Sequence, residues 1–154
     1  MIQSVLEPIT ILTSNTSAIT FTDDDIRTRR ANCYCNGWLQ HNEGSPIYKI
    51  LEGGIYEVSF NANVTSATAG TVALGLYQDG ILIPGTTVIT EVATAGDYIN
   101  VSFDKLIKIC CRGDASLTVG SVPSVLTGAT LPGTQTVTEI PVIQNANFSI
   151  TKKC

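Results

Sequence analysis

The stretch "YEVSFNANV", residues 56–64, puts Tyr56, Val58, Phe60, Ala62 and Val64 at every second position, with Glu57, Ser59, Asn61 and Asn63 between them. A period of two, apolar on one side and polar on the other, is that of a strand with one face in a core and one in solvent. Downstream, "TVALGLYQ" (71–78) repeats the alternation and offers Leu74 and Leu76 to the same core. Asp79-Gly80 then precedes "ILIPG", and Asp-Gly supplies the positive φ angles of a tight hairpin, so the strands on either side of it are expected to pair.

The same reading extends over the rest of the chain. Strands are expected at 9–13, 18–22, 33–41, 47–51, 87–93, 98–111 (two strands, or one with a bulge), 116–122, 136–143 and 147–152. The last of these adds Phe148 and Ile150 to the core. No segment carries the 3.6-residue period of a helix, and many short strands in one chain predict an antiparallel all-β sandwich of the jelly-roll kind. "SATAG" (66–70), "ATAGD" (93–97) and "PSVLTGATLPGTQ" (123–135) read as loops, since Gly and Pro break a ladder.

The 154 residues suffice for one domain with a true core. Residues 1–32 read as an N-terminal arm and 33–154 as the jelly-roll domain. Charged residues make up 14% and hydrophobic ones 44%, which leaves little charge to keep surfaces apart and favours self-association. A net charge of −4 with scattered basic residues argues against nucleic acid as a partner. No apolar run reaches the roughly 18 residues that a membrane span needs. The N-terminus "MIQSVLEPIT" lacks the pattern of an export signal, so reduced thiols in a cytoplasm are the expectation.

Chemistry is sparse. Cys33 and Cys35 share a strand face while Cys110 and Cys111 point apart, and no CxxC knuckle occurs; buried or half-buried thiols are expected rather than a metal site, with a disulfide through Cys154 as the remaining alternative. His41, the single histidine, sits beside a turn and reads as solvated rather than catalytic. Arg112-Gly113-Asp114 reads as a hairpin turn between two strands rather than an adhesion motif. The four Asn-x-Ser/Thr sequons, at Asn15, Asn63, Asn100 and Asn147, are expected to be unmodified. No catalytic, cofactor-binding or metal-binding residue is assigned, and the chain is expected not to be an enzyme.

"GGIYEVSFNANV", "VALGLYQDGILIPGT" and "NANFSI", in that order and spacing over about residues 50–152, resemble the C1q/TNF-like jelly-roll superfamily. Its bacterial and phage branch is most similar: the trimeric heads of spore-surface collagen-like proteins and the small virion proteins of phages. The resemblance implies a ten-stranded sandwich assembled as a homotrimer. One departure is that the face opposite Tyr56 carries Glu57, Ser59 and Asn61 where the TNF branch brings aromatic residues to its axis.

The expectation that follows is a phage virion structural protein, a capsid decoration protein or head fibre, located in the virion and assembled in the bacterial host cytoplasm. Its partners would be itself and the major capsid protein or another virion protein. The opposite charges of "DDDIRTRR", namely Asp23, Asp24, Asp25, Arg27, Arg29 and Arg30, would dock it to the shell. The alternative is a receptor- or carbohydrate-binding head on a fibre or spore surface, using Trp38 or Tyr98 beside the loops as a stacking platform.

Overall fold

The computed structural model describes residues 1–6, 10–11, 17–27, 37–110, 114–122 and 137–153, with backbone alone at 10–11 and 25–27. Its strands, in chain order, are β1 (Ile2–Leu6), β2 (Thr10–Ile11), β3 (Asp23–Arg27), β4 (Leu39–Gln40), β5 (Tyr48–Ile50), β6 (Gly54–Ser66), β7 (Gly70–Gln78), β8 (Ile81–Leu82), β9 (Val88–Val92), β10 (Ile99–Ile109), β11 (Ala115–Ser121) and β12 (Pro141–Lys152). They form two antiparallel sheets packed face to face. Sheet A runs β10-β6-β12-β1-β3, with β2 also on β12; sheet B runs β4-β5-β11-β7-β8, with β9 also on β7. The all-β sandwich expected from the alternating pattern is the fold.

The deciding stretch behaves as its period requires. Tyr56, Val58, Phe60, Ala62 and Val64 are buried on the inner face of β6, which pairs with β10 on one side and β12 on the other. Leu74, Leu76, Phe148 and Ile150 complete the expected core set, all buried. Asp79 (φ 52°) and Gly80 (φ 79°) close the β7–β8 hairpin as a primed turn, and the two strands pair directly. Asp79 Oδ1 also accepts from the Ser116 N–H at 2.8 Å, and that bond holds its carboxyl below the usual carboxylate range.

Several elements differ from the expectation. Within 98–111, Ile99–Ile109 is one regular strand, β10, in unbroken register with β6. The strands expected at 136–143 and 147–152 join in a single strand, β12, that begins at Pro141 and whose register shifts between Ile143 and Asn145 where one extra residue bulges out. Strand β7 is buried on both faces over 72–76, because Leu82, Val122 and Val137 pack on its outer side. β10 lies in sheet A and β11 in sheet B, so "RGD" falls in a crossover between sheets rather than a hairpin; Arg112 and Gly113 are outside the described residues, and Asp114 takes φ 64°. Residues 18–22 make isolated bridges, Ala18 to Gly120 and Phe21 to Ser45, instead of a strand.

The boundary drawn at residue 32 is the largest correction. Ile2 and Leu6 on β1, with Ile19 and Phe21 after it, are buried in the common core, and β1 pairs with β12 along its whole length. Apolar residues spaced two apart in the first strand thus belong to the sandwich, and "DDDIR" is its edge strand β3 rather than a solvated turn.

Residues 17–19 lie against β11 through Ile19 N–H to Val119 O (2.7 Å) and Ser121 N–H to Ser17 O (3.0 Å). Gly120 permits this approach: a Cβ there would stand 2.7 Å from the Ser17 carbonyl oxygen. Backbone gives way less readily than a side-chain end, so Gly120→Ala is expected to cost about 1–3 kcal/mol, read as a lower urea midpoint at unchanged slope.

Candidate assembly face

The outward residues of β6, β10, β12 and β1 form rows across sheet A. Asp104, Ser59, Ser149 and Gln3 stand in register, and beside them Ser102, Asn61, Asn147 and Val5. Asn100 and Asn63 begin the next row. Apart from Val5 these are the polar positions of the alternating pattern, nearly all short and, Asp104 excepted, uncharged.

They are tied to one another sideways. Ser59 and Ser149 hydroxyls lie 2.9 Å apart; Asn61 Nδ2 donates to Asn100 Oδ1 at 3.1 Å, and Asn100 Nδ2 reaches Asn61 Oδ1 at 3.2 Å and Asn63 Oδ1 at 3.0 Å. The face holds a shallow groove of about 380 Å³ lined by Gln3, Ser59, Asn61, Ser102, Asp104, Asn147 and Ser149. At one end of the face stand Leu106 (61% exposed) and Ile55 (41%), beside the Lys153–Glu57 ion pair at 2.6 Å. Sheet B differs: its outer side carries a small apolar cluster of Ala73, Val122 and Val137 with Tyr77 and Leu82. Three sequon asparagines, Asn63, Asn100 and Asn147, lie in the sheet A rows, a grouping that strand pairing creates and that spacing along the chain does not show.

A second cluster lies inside the sandwich edge, where β3 of sheet A meets β4 and β5 of sheet B. His41 is buried, against the expectation of a solvated turn residue. Its Nδ1 is 2.7 Å from Asp24 Oδ1 and its Nε2 is 2.9 Å from the Ser45 carbonyl oxygen. Its ring stacks on Tyr48 with centroids 3.9 Å apart and planes 5° from parallel. Ser4 Oγ donates to the same Asp24 oxygen. The Tyr48 hydroxyl faces this group without closing a hydrogen bond, and burial above all pushes its phenol well above the usual tyrosine range. Asp24 points inward because Asp24 and Asp25 together oppose the single residue Ser4, a bulge between the Gln3–Ile26 and Val5–Asp23 pairs.

The cluster contains a serine, an aspartate and a histidine but in the wrong order for nucleophilic catalysis. The carboxylate stands between the other two, and the Nε2 that would activate a hydroxyl is spent on a backbone carbonyl. Its work is to join the two sheets.

The remaining expectations are placed as follows. Of the docking charges, Asp23 is exposed, whereas the Asp24 side chain is buried and hydrogen-bonded, so Asp24 is corrected from a docking charge to an internal one. Asp25 and Arg27 lie on β3; Arg29 and Arg30 are outside the described residues. Trp38 packs on Tyr56 with centroids 5.2 Å apart, whereas Tyr98 (41% exposed) precedes Ile99, which pairs with Val64. Tyr56 and Val64 are eight residues apart on one strand, roughly 26 Å, so the two aromatics stand at opposite ends and form no joint platform. Cys110 is exposed, and Cys33, Cys35, Cys111 and Cys154 are outside the described residues, as is the loop 123–135. Among the described residues no group of three or more metal-binding side chains converges.

No family model matches the chain, and no curated protein matches it in sequence. Solved structures share its architecture. The globular domain of zebrafish complement 1qA protein superposes with a TM-score of 0.59 at 10% identity, over 99% of this chain and 96% of that one. Murine APRIL at pH 8.5 does so with a TM-score of 0.54 at 12% identity, over 96% and 94%. At such identities the likeness is one of fold: the chain folds as a jelly roll like that of these domains.

Proposed function

We propose that the chain is a non-enzymatic structural protein of a phage virion, a capsid decoration protein or head fibre, that self-associates as a homotrimer through the outer face of sheet A. The observation that carries the self-association is the composition of that face: rows over four strands made of Ser, Asn and Gln apart from Asp104 and Val5, laterally hydrogen-bonded, with Leu106 and Ile55 exposed beside them. Solvent-facing strands ordinarily carry long charged side chains, which resist close approach and lose rotamer freedom when covered. Short side chains already held by their neighbours lose little on association, and a wet polar interface is no weaker for its bridging waters. A C1q/TNF-like sandwich with 14% charged residues is suited to rigid assembly more than to chemistry.

The virion setting rests on the resemblance to the phage branch. In that setting the exposed Asp23 of β3, at the edge of sheet A, faces the shell, and three copies bound at once gain avidity without one strong contact. Deleting residues 1–32 is no test of docking, because it removes β1 and part of the core.

The test is in two steps. Light scattering on the purified protein is expected to give three times 16.4 kDa, with and without reductant. Particles pelleted from lysed cultures of the cells that encode the chain are then expected to carry it in a copy number divisible by three. A monomer in solution removes the assembly reading; a trimer absent from all particles removes the virion role and keeps the assembly.

A further inference from the structure

We propose that the free edge of β10 is shaped to pair with the same edge of a second copy of this chain, and that Lys105 keeps it closed. β10 ends sheet A, and among the described residues it pairs only with β6, from Ile99 to Ile109 in unbroken register. Lys153 N–H donates to Ile55 O at 2.8 Å, so Ile55 turns its backbone groups towards β12. Ile55 stands opposite Lys108 on β10. The backbone N–H and C=O of Lys108, and of Leu106, Asp104 and Ser102 at every second position, therefore point away from β6 into the open edge. Such a row, without proline or bulge, is a template for a further strand.

The outer row of this strand is self-complementary. Two copies laid antiparallel about Leu106 put that side chain, 61% exposed in the single chain, opposite its own copy, and put Asp104 opposite Lys108 on both sides of the two-fold axis. Centring the pair on Asp104 would oppose two carboxylates, and centring it on Lys105 or Lys108 would oppose two ammonium groups. The strand favours one register.

The inner row carries the obstacle. Ile99, Val101, Phe103, Ile107 and Ile109 occupy every other inward place of β10, and Lys105 holds the remaining one, opposite the fully buried Val58. Lys105 is half-buried, and its Nζ reaches the loop between β8 and β9, 3.2 Å from the point where a side chain on the exposed Gly85 would begin. In the favoured register the two Lys105 side chains flank the two-fold axis on the inner side. There they lose water at the seam between the sandwiches, and the inner row of either strand offers no carboxylate to meet them. An inward-pointing charge on an edge strand is a device against edge-to-edge pairing.

The test compares variants of the full chain with the unaltered protein's own mass, so its outcome does not depend on the trimer. Lys105→Met keeps the length of the side chain and removes its charge. Light scattering over a wide range of concentration is expected to give it about twice the unaltered mass or more, while Lys105→Arg keeps the unaltered mass. Amide exchange at Asp104, Leu106 and Lys108, which face the open edge, is expected to slow about tenfold or more in Lys105→Met. Adding Asp104→Lys opposes ammonium groups at Lys108 and is expected to restore the unaltered mass. Equal masses for Lys105→Met and the unaltered protein overturn the proposal, as does a rise in mass that leaves those three amides as open as before. A rise that survives Asp104→Lys overturns the register. If Lys105→Met does not fold, exchange in the unaltered protein decides: protection of the same three amides there would mean that the edge is not free, and would overturn the proposal without any variant.

Discussion

Asn61→Asp is expected to turn the proposed trimer into monomers while leaving the fold intact. The substitution is isosteric, and the residue is exposed in the single chain, so its effect on the unfolding midpoint should stay within about 0.5 kcal/mol. Asn100 Nδ2 still has an oxygen to donate to at position 61, although the reverse bond from Asn61 Nδ2 is lost. In the proposed trimer three new carboxylates would converge, and Asp104 lies one row away on the adjacent strand. At separations of about 10 Å and an effective dielectric of about 20, each pair of like charges repels by about 1.7 kcal/mol, so three pairs cost about 5 kcal/mol. That is between three and four powers of ten in the association constant. Light scattering should give three times 16.4 kDa for the unaltered chain and 16.4 kDa for the variant at micromolar concentration. A matched charge at Ile81, 74% exposed at the tip of the β7–β8 hairpin in sheet B, should leave the mass alone. A variant at position 61 that stays trimeric would move the contact off this face.

The parts of the fold that were legible in the sequence are those where a local rule and the tertiary fold agree. Alternation over 56–64 and the Asp79-Gly80 turn act within a few residues and gave β6 and the β7–β8 hairpin correctly. Strand β7 misled because the pattern within a strand says nothing of what another segment lays on its outer face, here Val122 and Val137. The N-terminal residues misled for a related reason. Ile2, Ser4 and Leu6 alternate as β6 does, but only five residues long, and the charges of 23–25 masked the edge strand that follows. His41 was out of reach: its partners come from 17 residues upstream and four downstream, and the bulge that turns Asp24 inward exists only once β1 and β3 have paired. The outer face of sheet A was half legible. Its polar residues could be read strand by strand, but their lateral ties join residues 37 to 90 apart.

The aromatic cluster next to that buried pair is where the sandwich should be most sensitive, and Phe148→Ala is expected to cost about 3–5 kcal/mol. Phe148 is fully buried on β12, between Phe21 (centroids 5.5 Å, stacked) and Tyr48 (4.9 Å, edge-on), and Phe21 in turn meets Tyr48 at 5.9 Å. The three rings come from the segment after β2, from β5 of sheet B and from β12 of sheet A, so the cluster ties both sheets and the N-terminal third together. Truncation forfeits the transfer free energy of the ring, its aromatic contacts and the filling of a space that β-sheet backbones collapse into poorly. For a domain of this size the loss corresponds to a fall of about 6–20 °C in Tm, against a total stability of about 5–15 kcal/mol. Phe148→Leu keeps most of the volume and should recover more than half of the loss. Leu106→Ala, at a site 61% exposed on the assembly face, separates the two kinds of apolar residue: the single chain should barely notice it, while the trimer should dissociate at higher concentration. Equal losses of Tm for Phe148→Ala and Leu106→Ala under monomeric conditions would mean that the inner and outer faces of sheet A have been assigned the wrong way round.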